Sequence, residues 1–161
     1  MEIAYCERWW LARKSAVGPM SEESARKRHE SRKPYVALLG GAQQPHFVVD
    51  LAGEWVSVYF LDTRLRKYLS YQFKEVQPTR LFLKGAVYWD FEGDAEVAHS
   101  KRIFNFSENG HIVMSEENRA TGEVREFETD SSVAENWDSY PAFGEYAPLC
   151  KKERVSPAGA T

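Results

Sequence analysis

The sequence predicts a mainly β protein: an antiparallel meander of about seven or eight strands in a strongly curved or barrel-like sheet, with a short polar N-terminal helix and a short C-terminal helix. Three observations carry this. Apolar residues recur with a period of two between Tyr35 and Thr129, the strand-like runs are joined by turns rich in Gly, Asn and Asp, and the intervals leave no room for the crossover helices that parallel pairing needs. Closure is the expected answer to the two exposed edges of an open meander. At 161 residues, 43% hydrophobic and 14% aromatic, the chain suits one core and is too apolar for wholesale disorder. Residues 1–150 are expected to form a single β-rich domain, with 1–33 as a helical or mobile N-terminal segment and 151–161 as a disordered tail.

The elements follow in order. Ser21 to Lys33 begins with an N-capping serine, places Glu22 and Glu23 in the first turn and bases toward the end, and meets Pro34, so it reads as a polar helix or linker. Tyr35 to Leu39 and Phe47 to Leu51 are short apolar runs closed by Gly40-Gly41 and Ala52-Gly53. Trp55 to Leu61 is apolar on both faces apart from Ser57, as in a central strand covered on both sides. In the next two runs Leu65, Leu69, Tyr71 and Phe73, then Leu81, Leu83, Val87, Trp89 and Phe91, take one face, with Gly85 marking a bulge or bend. Glu92-Gly93-Asp94 turns the chain into Val97 to Phe106. Asn109-Gly110, read as a type I′ turn, leads to Ile112-Val113-Met114, and Thr121-Gly122 to the last strand, Val124 to Thr129. Ser132 to Glu135 fits a capping box opening a short helix that carries Trp137 and Tyr140 before Pro141.

Chemistry-bearing motifs are sparse. Cys6 and Cys150 form no CxxC pair, which removes zinc ribbons, thioredoxin-type motifs and disulfide scaffolds; Lys151 and Lys152 could lower the Cys150 pKa. His29, His46, His99 and His111 lack metal-ligand spacing, and neither a Gly-x-Ser-x-Gly elbow nor a phosphate-binding loop occurs. No catalytic residue, cofactor or metal is therefore expected. The charged N-terminus does not fit a signal peptide and no run is long enough to span a membrane, so the expected location is cytoplasmic, with no membrane partner. Arg26-Lys27-Arg28 and Arg32-Lys33 are interleaved with Glu30 and lack aromatics, which argues against nucleic acid.

Charge layout says more. Residues 1–33 hold eight basic and five acidic side chains, whereas residues 107–138 hold nine acidic and two basic ones in a chain of net charge −3. Glu116, Glu117, Glu123, Glu126, Glu128 and Asp130 crowd the last hairpin. They fit a solvated, aggregation-resistant edge or a docking surface for a cationic partner. Trp137, Tyr140, Phe143 and Tyr146 put four aromatics into ten residues, either as a lid over the sheet or as a binding surface, and Trp137 and Tyr140 join the six acids as candidate partner-binding residues.

With its hairpins, acidic strand pair and the ending Asn136-Trp137-Asp138-Ser139-Tyr140-Pro141-Ala142-Phe143-Gly144-Glu145-Tyr146, the chain resembles small bacterial immunity-type proteins over roughly residues 54–154. The resemblance implies a non-enzyme that binds a cognate protein toxin and occludes its active or substrate-binding site, the toxin surface being cationic to suit the acidic hairpin. The alternative is a lipocalin-like barrel whose pocket is lined by Trp55, Tyr71, Phe73, Trp89 and Phe91.

Overall fold

The computed structural model describes residues 1–154. The chain runs β1 (Ile3–Trp10), β2 (Ser15–Met20), α1 (Glu22–Glu30), β3 (Tyr35–Leu39), β4 (Phe47–Ala52), β5 (Trp55–Leu61), β6 (Lys67–Gln77), β7 (Arg80–Asp90), β8 (Ser100–Phe106), β9 (His111–Asn118), β10 (Val124–Asp130) and β11 (Trp137–Ser139). All pairings are antiparallel, in the order β10-β9-β8-β7-β6-β5-β4-β3-β1-β2, with β11 added to β7. The eight strands read from the sequence are β3 to β10. Among the described residues three more exist, and the sheet does not close: β2 and β10 remain as edges.

The additional strands and the missing helix have local causes. The β1–β2 hairpin occupies part of the segment expected to be helical or mobile; Glu7 and Arg8 interrupt the apolar alternation of β1, and Gly18 and Pro19 disguise β2. The expected helix after Ser132 does not form. Ser132 accepts a hydrogen bond from the Ala134 amide, one residue short of a capping box, and Ala134–Asn136 make a single 3-10 turn. The chain then pairs Trp137–Ser139 with Phe82–Arg80, a stretch of β7 left open because β8 starts pairing only at Gly85. Residues 155–161 of the expected disordered tail lie outside the described residues, while Arg154, at its start, is buried.

One face of the sheet, here the inner face, carries the larger core, in which Phe60, Tyr71, Phe73 and Phe104 are fully buried; α1 and the 131–154 segment close it through Ala25, Tyr146 and Leu149. The outer face holds a smaller cluster, where Cys6 and Trp9 pack with Val36, Leu38, Val48, Leu61 and Leu65. The strand buried on both faces is therefore β3. β5 buries Val56, Val58 and Phe60 but leaves Trp55 exposed.

The bulge anticipated at Gly85 is present, and it overturns the assignment of faces beyond it. Phe73 pairs with Leu83 while Gln72 pairs with Gly85, so Lys84 is the extra residue. One inserted residue reverses a period of two. Leu81 and Leu83 face the core, but after the bulge Ala86 and Tyr88 take that face, and Val87 and Trp89 are carried to the outer one. The Asn109-Gly110 turn also differs from expectation: only Gly110 has positive φ, +93°, and its amide bonds to the Ser107 carbonyl. This is a longer loop ending in a left-handed glycine instead of a type I′ turn.

α1 begins as expected, with the Ser24 amide donating to Ser21 Oγ at 3.1 Å. Lacking an apolar stripe, it is held by Ala25 and by a polar network: His29 Nδ1 lies 2.7 Å from the Tyr35 hydroxyl, which lies 2.9 Å from that of Tyr146. Arg26 and Arg32 cover the rings of Phe143 and Tyr140 at 4.5 and 3.5 Å. Tyr35→Phe leaves the Tyr146 hydroxyl without this buried partner and is expected to cost about 1–3 kcal/mol, read by urea denaturation. Burial, and then the Arg32 charge, hold His29 below its ordinary pKa. An unfolded histidine takes up its proton near pH 6.5, so His29's contribution is complete above about pH 6.5 and erodes as the pH falls below it. Between pH 7.5 and 5.5 the advantage in urea midpoint that wild type holds over His29→Gln should shrink.

Candidate functional site

Register divides the acidic hairpin residues. Opposed residues of an antiparallel pair share a face. Glu126 opposes Ser115, Glu128 opposes Val113, Asp130 opposes His111 and Glu117 opposes Val124, and all of these lie on the outer face. Glu116, opposite Arg125 and Arg102, lies on the inner side, and Glu123 sits in the β9–β10 turn, 3.0 Å from Arg125. Every residue of β10 is exposed, and its free edge has no strand neighbour among the described residues. Val124 and Phe127 add apolar surface at 59% and 47% exposure. His111 sits between Asp130, at 3.1 Å, and Glu128, at 3.7 Å; the Asp130 hydrogen bond and both carboxylate charges hold it above its ordinary pKa.

Trp137 and Tyr140 do not join this surface. Trp137 packs edge-on against Phe82 at 4.8 Å with Arg80 over its ring, on a strand paired to β7, which stands three places from β10 in the sheet order. Tyr140 lies beside His29 and under Arg32. Both are half-buried parts of the cover over the inner face.

The five residues expected to line an interior pocket also separate. Tyr71 and Phe73 are fully buried in the packed core, and Trp55 is exposed. Trp89 and Phe91 instead line an open groove of about 1080 Å3 on the outer side. Its floor is one row of directly paired residues across β7 to β10, namely Trp89, Lys101, Glu117 and Val124. Its walls are the β1–β2 tip (Leu11 to Lys14), the β7–β8 loop and the β9–β10 turn. The walls are tied down. Arg66 donates to Asp62 at 2.8 Å and to the Gly93 and Ala95 carbonyls at 2.7 and 2.9 Å, and Lys14 reaches Glu96 at 2.9 Å. Sequence reasoning missed Lys67, whose ammonium nitrogen lies 4.7 and 4.5 Å from the ring centres of Tyr59 and Trp89. The one available signal was Gly85, since the bulge it marks turns Trp89 outward.

The thiols do not suit nucleophilic chemistry: burial pushes Cys6 up to about 11 and Cys150 up to about 12, so Lys151 and Lys152 do not activate Cys150. Among the described residues no three His, Cys, Asp or Glu side chains are grouped to hold a metal ion, and no helix is long and apolar enough to cross a membrane. No family model, curated protein or solved structure matches this chain, so its function has to follow from its own geometry.

Proposed function

We propose that the protein is a non-enzymatic binding protein that docks a cationic protein partner on the β10 edge, and that it acts as an immunity-type inhibitor covering the active or substrate-binding site of a cognate toxin. The observation that carries this reading is β10 itself: an exposed edge strand, paired on one side only, that places Glu126, Glu128 and Asp130 on one face beside exposed Val124. An edge of this kind offers main-chain groups for strand addition, while its acidic face raises the encounter rate with a basic surface. A toxin acting on nucleic acid needs such a basic surface, and carboxylates can occupy it in place of phosphate. Trp137 and Tyr140 contribute indirectly, by fixing the chain that leaves β10.

The test uses the double variant Glu126→Lys/Glu128→Lys, whose side chains are exposed and support no core contact. Immobilised wild-type protein should retain a basic protein from host extract that the variant loses, and its association rate with that protein should fall at least ten-fold between low and high salt. Equal retention by both forms, or an association rate indifferent to salt, would overturn the electrostatic reading.

A further inference from the structure

The outer groove is positively biased in a protein of net negative charge. Lys14, Arg66, Lys67, Lys101 and Arg119 line it against Glu96, Glu117 and Glu123. Each carboxylate has an ion-pair partner: Glu96 in Lys14, Glu117 in Lys101 at 3.2 Å, though its buried Oε2 accepts no hydrogen bond, and Glu123 in Arg125. Arg66 is taken by Asp62. Lys67 and Arg119 are left with no ion pair or side-chain hydrogen bond among the described residues. The rings of Tyr59 and Trp89 attract the Lys67 ammonium electrostatically but accept none of its three N–H bonds in the usual sense. Burial holds the Lys67 pKa below the ordinary ammonium range, as befits a cation whose counter-charge is missing.

The apolar surface of the groove is equally specific. Leu11 and Val97, from two different walls, and Val124, at the end of the floor, are three of the few exposed large aliphatic residues and meet around this one opening, at 36%, 54% and 59% exposure. Trp89 and Leu65 lie beneath them. Leu65 takes φ of +58°, a left-handed conformation that costs a non-glycine residue about 1–2 kcal/mol. The Asp62 carboxylate, accepting from the Arg64 and Arg66 amides, holds that turn in place.

We propose that this groove binds a small amphipathic carboxylate, whose anionic head meets the Lys67 ammonium and whose apolar body lies on Trp89 between Leu11, Val97 and Val124. At about 1080 Å3 the open groove lies just above the roughly 300 to 1,000 Å3 of drug-sized sites, so a small ligand fills only part of it. The groove shares Val124 with the docking edge but not its charges, because Glu126→Lys/Glu128→Lys leaves Lys67 and the groove walls in place.

Decanoate, kept below its micelle concentration, is the probe, with 1-decanol as its uncharged match. Titrated into isotope-labelled wild-type protein, decanoate should bind saturably, shift the Trp89 indole and the Val97 and Val124 amide resonances, and bind at least ten-fold more tightly than decanol. Lys67→Met keeps the aliphatic stem under the rings and removes the charge. It should leave the thermal midpoint unchanged or higher, abolish the preference for decanoate and leave decanol binding as it was. Absence of saturable binding, equal affinity of wild type for the two probes, shifts confined to other parts of the sheet, or a Lys67→Met variant that still prefers decanoate would each overturn the proposal. The wild-type comparison stands even if the variant fails to fold.

Discussion

Replacing Arg154 by alanine is expected to remove about 3–5 kcal/mol of stability, the usual consequence of deleting one partner of a buried ion pair. Arg154 is 6% exposed. Its guanidinium pairs with Asp138, donates to the Glu135 carbonyl at 2.9 Å and to the Pro148 carbonyl at 2.6 Å, and lies over Phe73 at 5.2 Å. One side chain thus joins the 3-10 turn before β11, β11 itself, the last segment and the inner core. Alanine would strand the Asp138 carboxylate and two carbonyls together, and the urea midpoint should fall by roughly 1–5 M, given slopes of about 1–3 kcal/mol/M for small proteins. Arg154→Lys keeps the charge but not the planar fork, so it should recover only part of the loss. A double variant, Arg154→Met/Asp138→Leu, should lose less than Arg154→Ala, because the cost lies in the stranded charge more than in the absent pair.

Phe60→Ala should cause a loss of similar size, about 3–5 kcal/mol, by leaving a cavity in the inner core. The ring is fully buried and makes edge contacts with Phe47 at 5.4 Å and Tyr71 at 5.0 Å, and it also lies 6.2 Å from Tyr68. Its neighbours sit on paired strands whose ladders restrict how far they can collapse into the space. Phe127→Ala serves as the control. That ring lies on the edge strand and is 47% exposed, so its loss should move stability by no more than about 0.5 kcal/mol. A Phe127→Ala variant as unstable as Phe60→Ala would mean that the β10 edge is packed against something, and would contradict the docking role given to it.

Strands β3 to β10 were legible because alternation and turn chemistry are local properties: Tyr71 and Phe73 occupy the core face that their spacing assigns, and Ser21 caps the helix it was expected to cap. The β1–β2 hairpin was not legible, because Trp9 is buried by Val48, Leu61 and Leu65, residues about 40 or more positions away, and nothing near it in sequence announces that cover. β11 was hidden for a related reason. Ser132 to Glu135 carries a helix-start pattern, but the unpaired stretch of β7 offers hydrogen bonds that a helix would have left unused. The acidic hairpin was legible as composition and only partly as a surface. Six carboxylates close in sequence divide between two faces and a turn once register is imposed, and Trp137 and Tyr140, near in sequence, are drawn away by Phe82 and His29. The groove was the least legible feature, because its walls are loops from three distant hairpins.

The extra residue at Lys84 makes the number of residues in β7 as consequential as their identity. Shortening the strand by that one position would restore strict alternation and exchange the two sides of everything after it: Val87 and Trp89 would be driven into the space now filled by Ala86 and Tyr88, whose side chains would come out to water. No single substitution could do as much, because each changes one side chain and leaves the parity of the strand alone. The outer groove therefore depends on a count. A deletion chemically milder than almost any mutation would dismantle its aromatic floor and overfill the core in the same stroke.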